Sequence, residues 1–173
     1  LIYYTRPAKD GEVGTSSVSQ STSSAENNTA LSLKGQQLSE FKMTSQDGKL
    51  VASSELYDKP MLIVEWASWC PHCQKQLPIV QQMYEKYGEQ INFVLLNMNE
   101  PGKETKESAD RYIKEKGYTF PYYYDEDQSA ADLLQVQTIP SMYFVTKKQE
   151  VKNVLVNHSD AESFSKELQT LLN

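Results

Sequence analysis

The chain has two cysteines, Cys70 and Cys73, and they are separated by Pro71 and His72. Two thiols at this spacing at a helix start lie on the same side of the helix, within reach of a disulfide bond. The free N–H groups at a helix start also stabilise a thiolate and lower the pKa of the thiol. A protonated His72 would act in the same direction. The pattern therefore predicts reversible thiol–disulfide chemistry with Cys70 as the reactive thiol.

Three other uses of a cysteine pair fit the sequence less well. A structural disulfide that closes so short a loop adds little stability, because the gain grows with loop length. A zinc site needs more ligands, and His72 and His158 complete no familiar Cys/His spacing. Covalent haem attachment needs a histidine directly after the second cysteine, where this chain has Gln74. We therefore expect a redox-active pair that uses no metal, nucleotide or flavin cofactor.

The elements around the pair indicate an α/β domain. Residues 61–66 form an apolar, β-branched run typical of a strand buried on both faces, and residues 71–87 have helical spacing with Pro71 in the first turn. Further strands are predicted at 41–43, 50–52, 91–98, 120–124, 142–146 and 151–156, and further helices at 103–116, 129–135 and 160–172. Strands and helices alternate up to a final hairpin, which predicts parallel pairing followed by an antiparallel pair.

Composition limits the classes of function. The chain has 173 residues, of which 39% are hydrophobic and 23% charged, and these values suit one soluble domain with a tail. The net charge of −6, without any basic run, argues against a nucleic-acid partner. The sequence contains no run of about 18 apolar residues, which a membrane-spanning helix requires.

The first 30 residues differ from the rest. Between Thr15 and Ser24, eight of ten residues are Ser or Thr, so we expect residues 1–30 to be a disordered tether and residues 31–173 the folded domain. The opening Leu1-Ile2-Tyr3-Tyr4 is typical of the outer end of a truncated membrane anchor, with an ordinary chain start as the alternative. A Ser/Thr-rich spacer suits a domain held away from a membrane. These features favour a domain that is tethered to the outer side of a membrane.

The cysteine pair also lies within a longer, specific segment, Trp66-Ala67-Ser68-Trp69-Cys70-Pro71-His72-Cys73, and Thr138-Ile139-Pro140 follows further along. These segments, together with residues 118–121 and 125–127, resemble the thioredoxin superfamily, in particular its membrane-tethered branch typified by TlpA and ResA. The likeness covers about residues 36–173. It implies a three-layer α/β fold with a mixed sheet of four or five strands flanked by helices, an N-terminal strand hairpin and a central insertion.

The resemblance also implies roles for individual residues. Cys70 would be the exposed attacking thiol and Cys73 the buried resolving thiol. Pro140, preceded by Ile139, would be a cis-proline that aligns the substrate backbone, although a trans proline at a strand start is the commoner case. Trp69 would belong to the docking surface, or else serve only in packing.

The resemblance implies a thiol–disulfide oxidoreductase that acts on protein disulfides on the extracytoplasmic side of a bacterial cytoplasmic membrane. It favours a reductase supplied by a membrane thiol-transfer partner of the CcdA or DsbD kind, with apocytochrome c or a methionine sulfoxide reductase as client. The dipeptide Pro71-His72 resembles oxidising sites of the DsbA type, so a thiol oxidase stays open. A non-catalytic thioredoxin-like adaptor is the third alternative.

Three positions depart from the family pattern. Val64 stands where the family often has an acid or Asn beneath the thiols, Gln76 stands where it often has Glu, and Glu65 replaces a usual aromatic residue. A carboxylate at position 65 must be paired, solvated or protonated. Glu65 would either transfer protons near Cys73 or be a salt-bridged core residue. Strand alternation puts it on the face opposite Val64, which favours the second interpretation.

Overall fold

The computed structural model describes residues 5–7 and 28–173. One mixed sheet of seven strands, in the order β2-β1-β5-β4-β3-β6-β7, is flanked by helices. The strands are β1 (Lys42–Thr44), β2 (Leu50–Ala52), β3 (Met61–Trp66), β4 (Asn92–Met98), β5 (Tyr122–Asp125), β6 (Ser141–Val145) and β7 (Val151–Leu155). The helices are α1 (Pro71–Tyr87), α2 (Lys106–Lys116), α3 (Ser129–Leu133) and α4 (Ala161–Thr170), with 3-10 turns at Thr29–Leu33 and Ser53–Leu56.

The pairing follows the predicted order. Strands β3, β4 and β5 are parallel, whereas β6 runs antiparallel to β3 and β7 antiparallel to β6. The sheet is larger than the four or five strands that the resemblance implied. The N-terminal hairpin β1–β2 joins this sheet, because β1 pairs with β5 through Thr44 and Tyr124. The expected hairpin is therefore an edge of the main sheet.

The centre of the sheet is buried on both faces. All six residues of β3 and the last six of β4 are buried, which explains their nearly continuous apolar sequence. Helix α1 covers β3 with a stripe that includes Leu77, Val80 and Met83. Because β3 and β4 are parallel, the loops after Trp66 and after Met98 leave the same edge of the sheet. This edge carries the cysteine pair.

Parts of the N-terminal segment lie against the domain. Ala30 is fully buried, and the Asn28 side chain accepts a hydrogen bond from its N–H group. The backbone N–H of Arg6 donates to the Gln137 carbonyl at 2.8 Å. Most of the predicted tether, and the anchor remnant predicted at residues 1–4, lie outside the described residues. Within the described ranges, none of the helices is long and apolar enough to cross a membrane.

Candidate active site

Cys70 occupies the N-cap of α1, and Pro71 is the first residue of the helix. Its backbone is extended, with φ −82° and ψ 115°, so its side chain turns back over the first turn. The Sγ atom accepts a hydrogen bond from the Cys73 N–H at 3.2 Å. Both cysteines are free thiols in this structure. The predicted placement of the pair at a helix start is confirmed.

The surroundings shift the pKa values of the two thiols in opposite directions. The pKa of Cys70 is lowered, first by a hydrogen bond with the Cys73 thiol, then by the backbone N–H groups of Cys73 and His72 and the charge of Lys103, while burial opposes them. Burial raises the pKa of Cys73 well above its ordinary value, and the hydrogen bond with Cys70 and the charge of Glu104 add to this. These surroundings favour ionisation of Cys70 over ionisation of Cys73.

Cys70 was expected to be exposed, and this expectation is wrong for the form with free thiols. Only 1% of the residue is accessible to solvent. Its Sγ–H donates to the Ile139 carbonyl at 3.5 Å, so the sulfur lies between the first turn of α1 and the loop before β6. The Ile139–Pro140 peptide bond in that loop is cis, as the resemblance implied. Ile139 and Pro140 are thus brought to the thiol, although they lie far from it in sequence.

The other residues singled out from the sequence surround the start of α1. Trp69 is half-buried, and the Nζ atom of Lys103 lies 3.8 Å from the centroid of its ring. Pro71 is exposed and His72 is half-buried on the first turn. Pro71 is thus exposed, and Trp69 and His72 are partly exposed, at the end of the helix that carries Cys70.

Glu104 is a site residue that the sequence reasoning missed. It is 2% exposed, and its carboxylate accepts hydrogen bonds from the N–H and hydroxyl groups of Ser68, the amide of Asn97 and the hydroxyl of Ser108. The sequence does carry one indication of its position: polar residues follow β4 at the carboxyl edge of the sheet, where β3 also ends and the cysteine pair lies. Glu104 is the carboxylate near Cys73 that no local motif indicated.

The three departures from the family pattern have different environments. Val64 is fully buried and belongs to the apolar core. Gln76 is fully buried and holds Ser159 with two bonds: its Nε2 donates to the Ser159 carbonyl at 3.2 Å and its Oε1 accepts the Ser159 N–H at 2.8 Å. An amide suits this site because it both donates and accepts.

Glu65 is fully buried, and neither of its oxygens makes a hydrogen bond within the described residues. The expected salt bridge is therefore absent from the described contacts. Burial raises the pKa of Glu65 well above its ordinary value, and the nearby Asp125 carboxyl adds to the effect. Since β3 alternates, Glu65 lies on the face opposite Val64, together with Tyr143 and Asp125. Burial therefore favours the protonated form of Glu65, which lies on the side of the sheet away from α1.

Comparison with known proteins agrees with this architecture. A model of the AhpC/TSA family matches residues 34–154. The thiol-disulfide oxidoreductase ResA of Halalkalibacterium halodurans is 25% identical over 126 residues, which span 72% of this chain and 69% of the relative. ResA of Bacillus subtilis is 24% identical over 123 residues, which span 70% of this chain and 66% of the relative. The similarity to ResA inferred from the cysteine segment is confirmed.

Solved structures show the same fold at lower identity. A putative thiol:disulfide interchange protein DsbE from Chlorobium tepidum superposes with a TM-score of 0.71 at 20% identity, covering 81% of this chain and 98% of that protein. StoA from Bacillus subtilis superposes with a TM-score of 0.64 at 22% identity, covering 75% of this chain and 96% of StoA. The fold is thioredoxin-like and, because the family model spans most of the domain, the chain belongs to the AhpC/TSA family.

Proposed function

We propose that the chain is a protein thiol–disulfide oxidoreductase whose attacking group is the Cys70 thiolate. One observation carries the proposal: Cys70 Sγ sits at the N-cap of α1 and accepts the Cys73 N–H at 3.2 Å, while Cys73 is fully buried. This arrangement lowers the pKa of Cys70 and raises that of Cys73, which separates an attacking thiol from a resolving one. The relatives named thiol-disulfide oxidoreductase support the same activity.

The reaction transfers two electrons. The Cys70 thiolate attacks one sulfur of a substrate disulfide, that S–S bond breaks, and the other substrate sulfur leaves as a thiolate. Cys73 then loses its proton and attacks Cys70 Sγ, which releases the second substrate thiolate and forms the Cys70–Cys73 disulfide. The substrate gains two electrons and two protons, and a donor dithiol must return them to the protein.

We assign the reducing direction and an extracytoplasmic location to this activity. The similarity to ResA and the Ser/Thr-rich N-terminal segment support this assignment. A reductase on that side of the membrane needs electrons from the cytoplasm, so its donor would be a membrane thiol-transfer protein of the CcdA or DsbD kind. The proposed clients are protein disulfides, with apocytochrome c and methionine sulfoxide reductase as the candidates.

A thiol oxidase is the second candidate, and the lowered pKa of Cys70 favours it. Stabilising the thiolate stabilises the reduced form and makes the disulfide more oxidising. The reduction potential of the Cys70–Cys73 pair, measured against glutathione, separates the two directions. A value near about −270 mV supports the reductase, and a value near about −120 mV supports the oxidase.

A non-catalytic adaptor would use an exposed aromatic surface, but the tyrosines next to α2 are engaged within the domain. The hydroxyls of Tyr122 and Tyr124 both bond to Asp110, at 2.7 Å for Tyr122, and Tyr124 is buried. Packing therefore accounts for these rings.

Insulin reduction with dithiothreitol as electron source tests the activity. Cys70→Ser should abolish catalysis, and Cys73→Ser should accumulate a mixed disulfide at Cys70. Equal rates for wild type and Cys70→Ser would reject the enzyme in favour of the adaptor. In cells that carry the full native protein, labelling of its cysteines by a membrane-impermeant maleimide tests the location. Absence of labelling in intact cells, with labelling after lysis, would reject an extracytoplasmic site.

A further inference from the structure

Lys103 has the shortest cation–ring contact among the described residues. Its Nζ atom lies 3.8 Å from the centroid of the Trp69 ring, compared with 5.2 Å for Lys86 over Tyr87. A separation this short is typical of an attractive contact between an ammonium group and the face of an indole. Trp69 directly precedes Cys70, so the contact places a positive charge next to the reactive end of α1.

The turn that carries Lys103 is fixed from two sides. The Lys103 N–H donates to the Glu100 carbonyl at 2.9 Å, and the Glu100 N–H donates to the Glu104 carbonyl at 2.9 Å. Gly102 has a φ of +78°, which the tight turn requires. The Glu104 side chain then binds Ser68, two residues before Cys70. The position of Lys103 is thus fixed by the hydrogen-bonded turn at residues 100–104 as well as by its contact with the Trp69 indole.

Two adjacent residues of opposite charge act on the two thiols. Lys103 stabilises the negative charge on Cys70, and Glu104 disfavours a negative charge on Cys73. The thiols also face Tyr112 of α2 and adjoin His72 of α1. Among these groups, Lys103 is the only one with an ammonium side chain.

We propose that Lys103 is a positioning residue of the redox site: its ammonium group, held over the Trp69 ring by the turn at residues 100–104, stabilises the Cys70 thiolate. This role rests on the proposed function, because the thiolate charge affects turnover only if Cys70 is the attacking group. Removal of the ammonium group should make the thiolate less stable and the Cys70–Cys73 disulfide less oxidising. The effect should be moderate, because Lys103 is exposed to solvent and the field is partly screened.

The test is the pH dependence of Cys70 alkylation by iodoacetamide in the reduced protein. Lys103→Met should lower the rate by about 3- to 10-fold at a pH below the pKa of Cys70, and Lys103→Arg should restore most of it. The matched control is Lys86→Met, which removes a ring-stacked lysine at the other end of α1, about 24 Å along the helix from Cys70. For Lys103→Met, the same fold-change corresponds to a reduction potential of the Cys70–Cys73 pair that is more negative than the wild-type value by about 15 to 30 mV.

The outcomes separate this role from the activity itself. If Lys103→Met and Lys86→Met have the same alkylation profile and the same potential, the role of Lys103 is rejected, whatever insulin reduction shows. If Lys103→Met shifts the profile and Lys103→Arg does not, the role stands even when the wild type fails to reduce insulin. In that case the proposed function fails while the electrostatic assignment holds. A loss of rate in both Lys103 variants would indicate disruption of the turn and would also reject the charge role.

Discussion

Glu104 joins the segment between β4 and α2 to the loop before α1, because its carboxylate accepts hydrogen bonds from both the N–H and the hydroxyl group of Ser68. The Ser68 Oγ lies 2.7 Å from Oε1, and the Asn97 amide donates to Oε2 at 3.0 Å. Charge-assisted hydrogen bonds of this kind are the strong ones in proteins. The conformation of the loop before α1 therefore depends on a side chain 36 residues beyond Ser68 in the sequence.

Replacing Glu104 with Gln should destabilise the domain. An NH2 group then stands in place of one carboxylate oxygen, and it cannot accept the hydrogen bonds that the neighbouring groups donate. We expect the free energy of unfolding to fall by about 2 to 3 kcal/mol in urea titrations. Loss of the charge should also lower the pKa of Cys73, measured from thiolate absorbance in a Cys70→Ser background. Glu107→Gln, at an exposed position on α2, is the control. Equal unfolding curves for the two variants would contradict this account of Glu104.

Glu65→Gln should stabilise the protein increasingly as the pH rises. The pKa of Glu65 is raised in the folded state, so the folded protein keeps a proton that the unfolded chain releases above about pH 4.3. The wild type therefore loses stability as the pH rises from that value through the folded pKa. Gln has no proton to lose, so its advantage over the wild type should be larger at about pH 8 than at about pH 5.

Urea unfolding of wild type and Glu65→Gln at about pH 5 and about pH 8 measures this difference. Glu89→Gln, which changes an exposed glutamate, should show little pH dependence relative to wild type. An advantage of Glu65→Gln that is constant with pH would show that Glu65 is not protonated on folding. A slower exchange at Cys73 in this variant would support the proton-transfer alternative.

Arg6 should contribute to stability although it lies far from the domain in sequence. Its side chain is 9% exposed, forms an ion pair with Asp132, and donates from Nε to Gln128 Oε1 at 2.9 Å. Arg6→Ala should lower the free energy of unfolding by about 1 to 2 kcal/mol, because these partly buried partners lose their bonds. Arg111→Ala, on the exposed side of α2, serves as control. If both variants unfold at the same urea concentration, the Arg6 contacts contribute nothing in solution.

Local patterns were sufficient to locate the cysteine pair. The β-branched run before Trp66 and the proline after Cys70 define a strand followed by a helix start, and α1 has the predicted bounds of 71–87. These features are readable because strand burial and helix capping depend on residues adjacent in sequence. The segment ending in Pro140 was found through resemblance rather than through pattern.

Contacts between distant loops were not predictable in the same way. Lys103 and Glu104 meet Trp69 and Ser68 only because β3 and β4 end at the same edge of the sheet. The burial of Cys70 likewise depends on the Ile139 carbonyl, which another loop supplies. A single-sequence pattern carries no information on how such loops approach each other.

The assignment of Cys70 as the attacking thiolate is tested by the pH dependence of alkylation of each cysteine in the reduced protein, with the modified residue identified by mass spectrometry. We expect Cys70 to react with a midpoint below the value of about 8.5 of a free cysteine, and Cys73 to stay unmodified in the folded state. A Cys70 that titrates like a free cysteine, or that is never modified while the protein is folded, would contradict the assignment of Cys70 as the attacking thiolate.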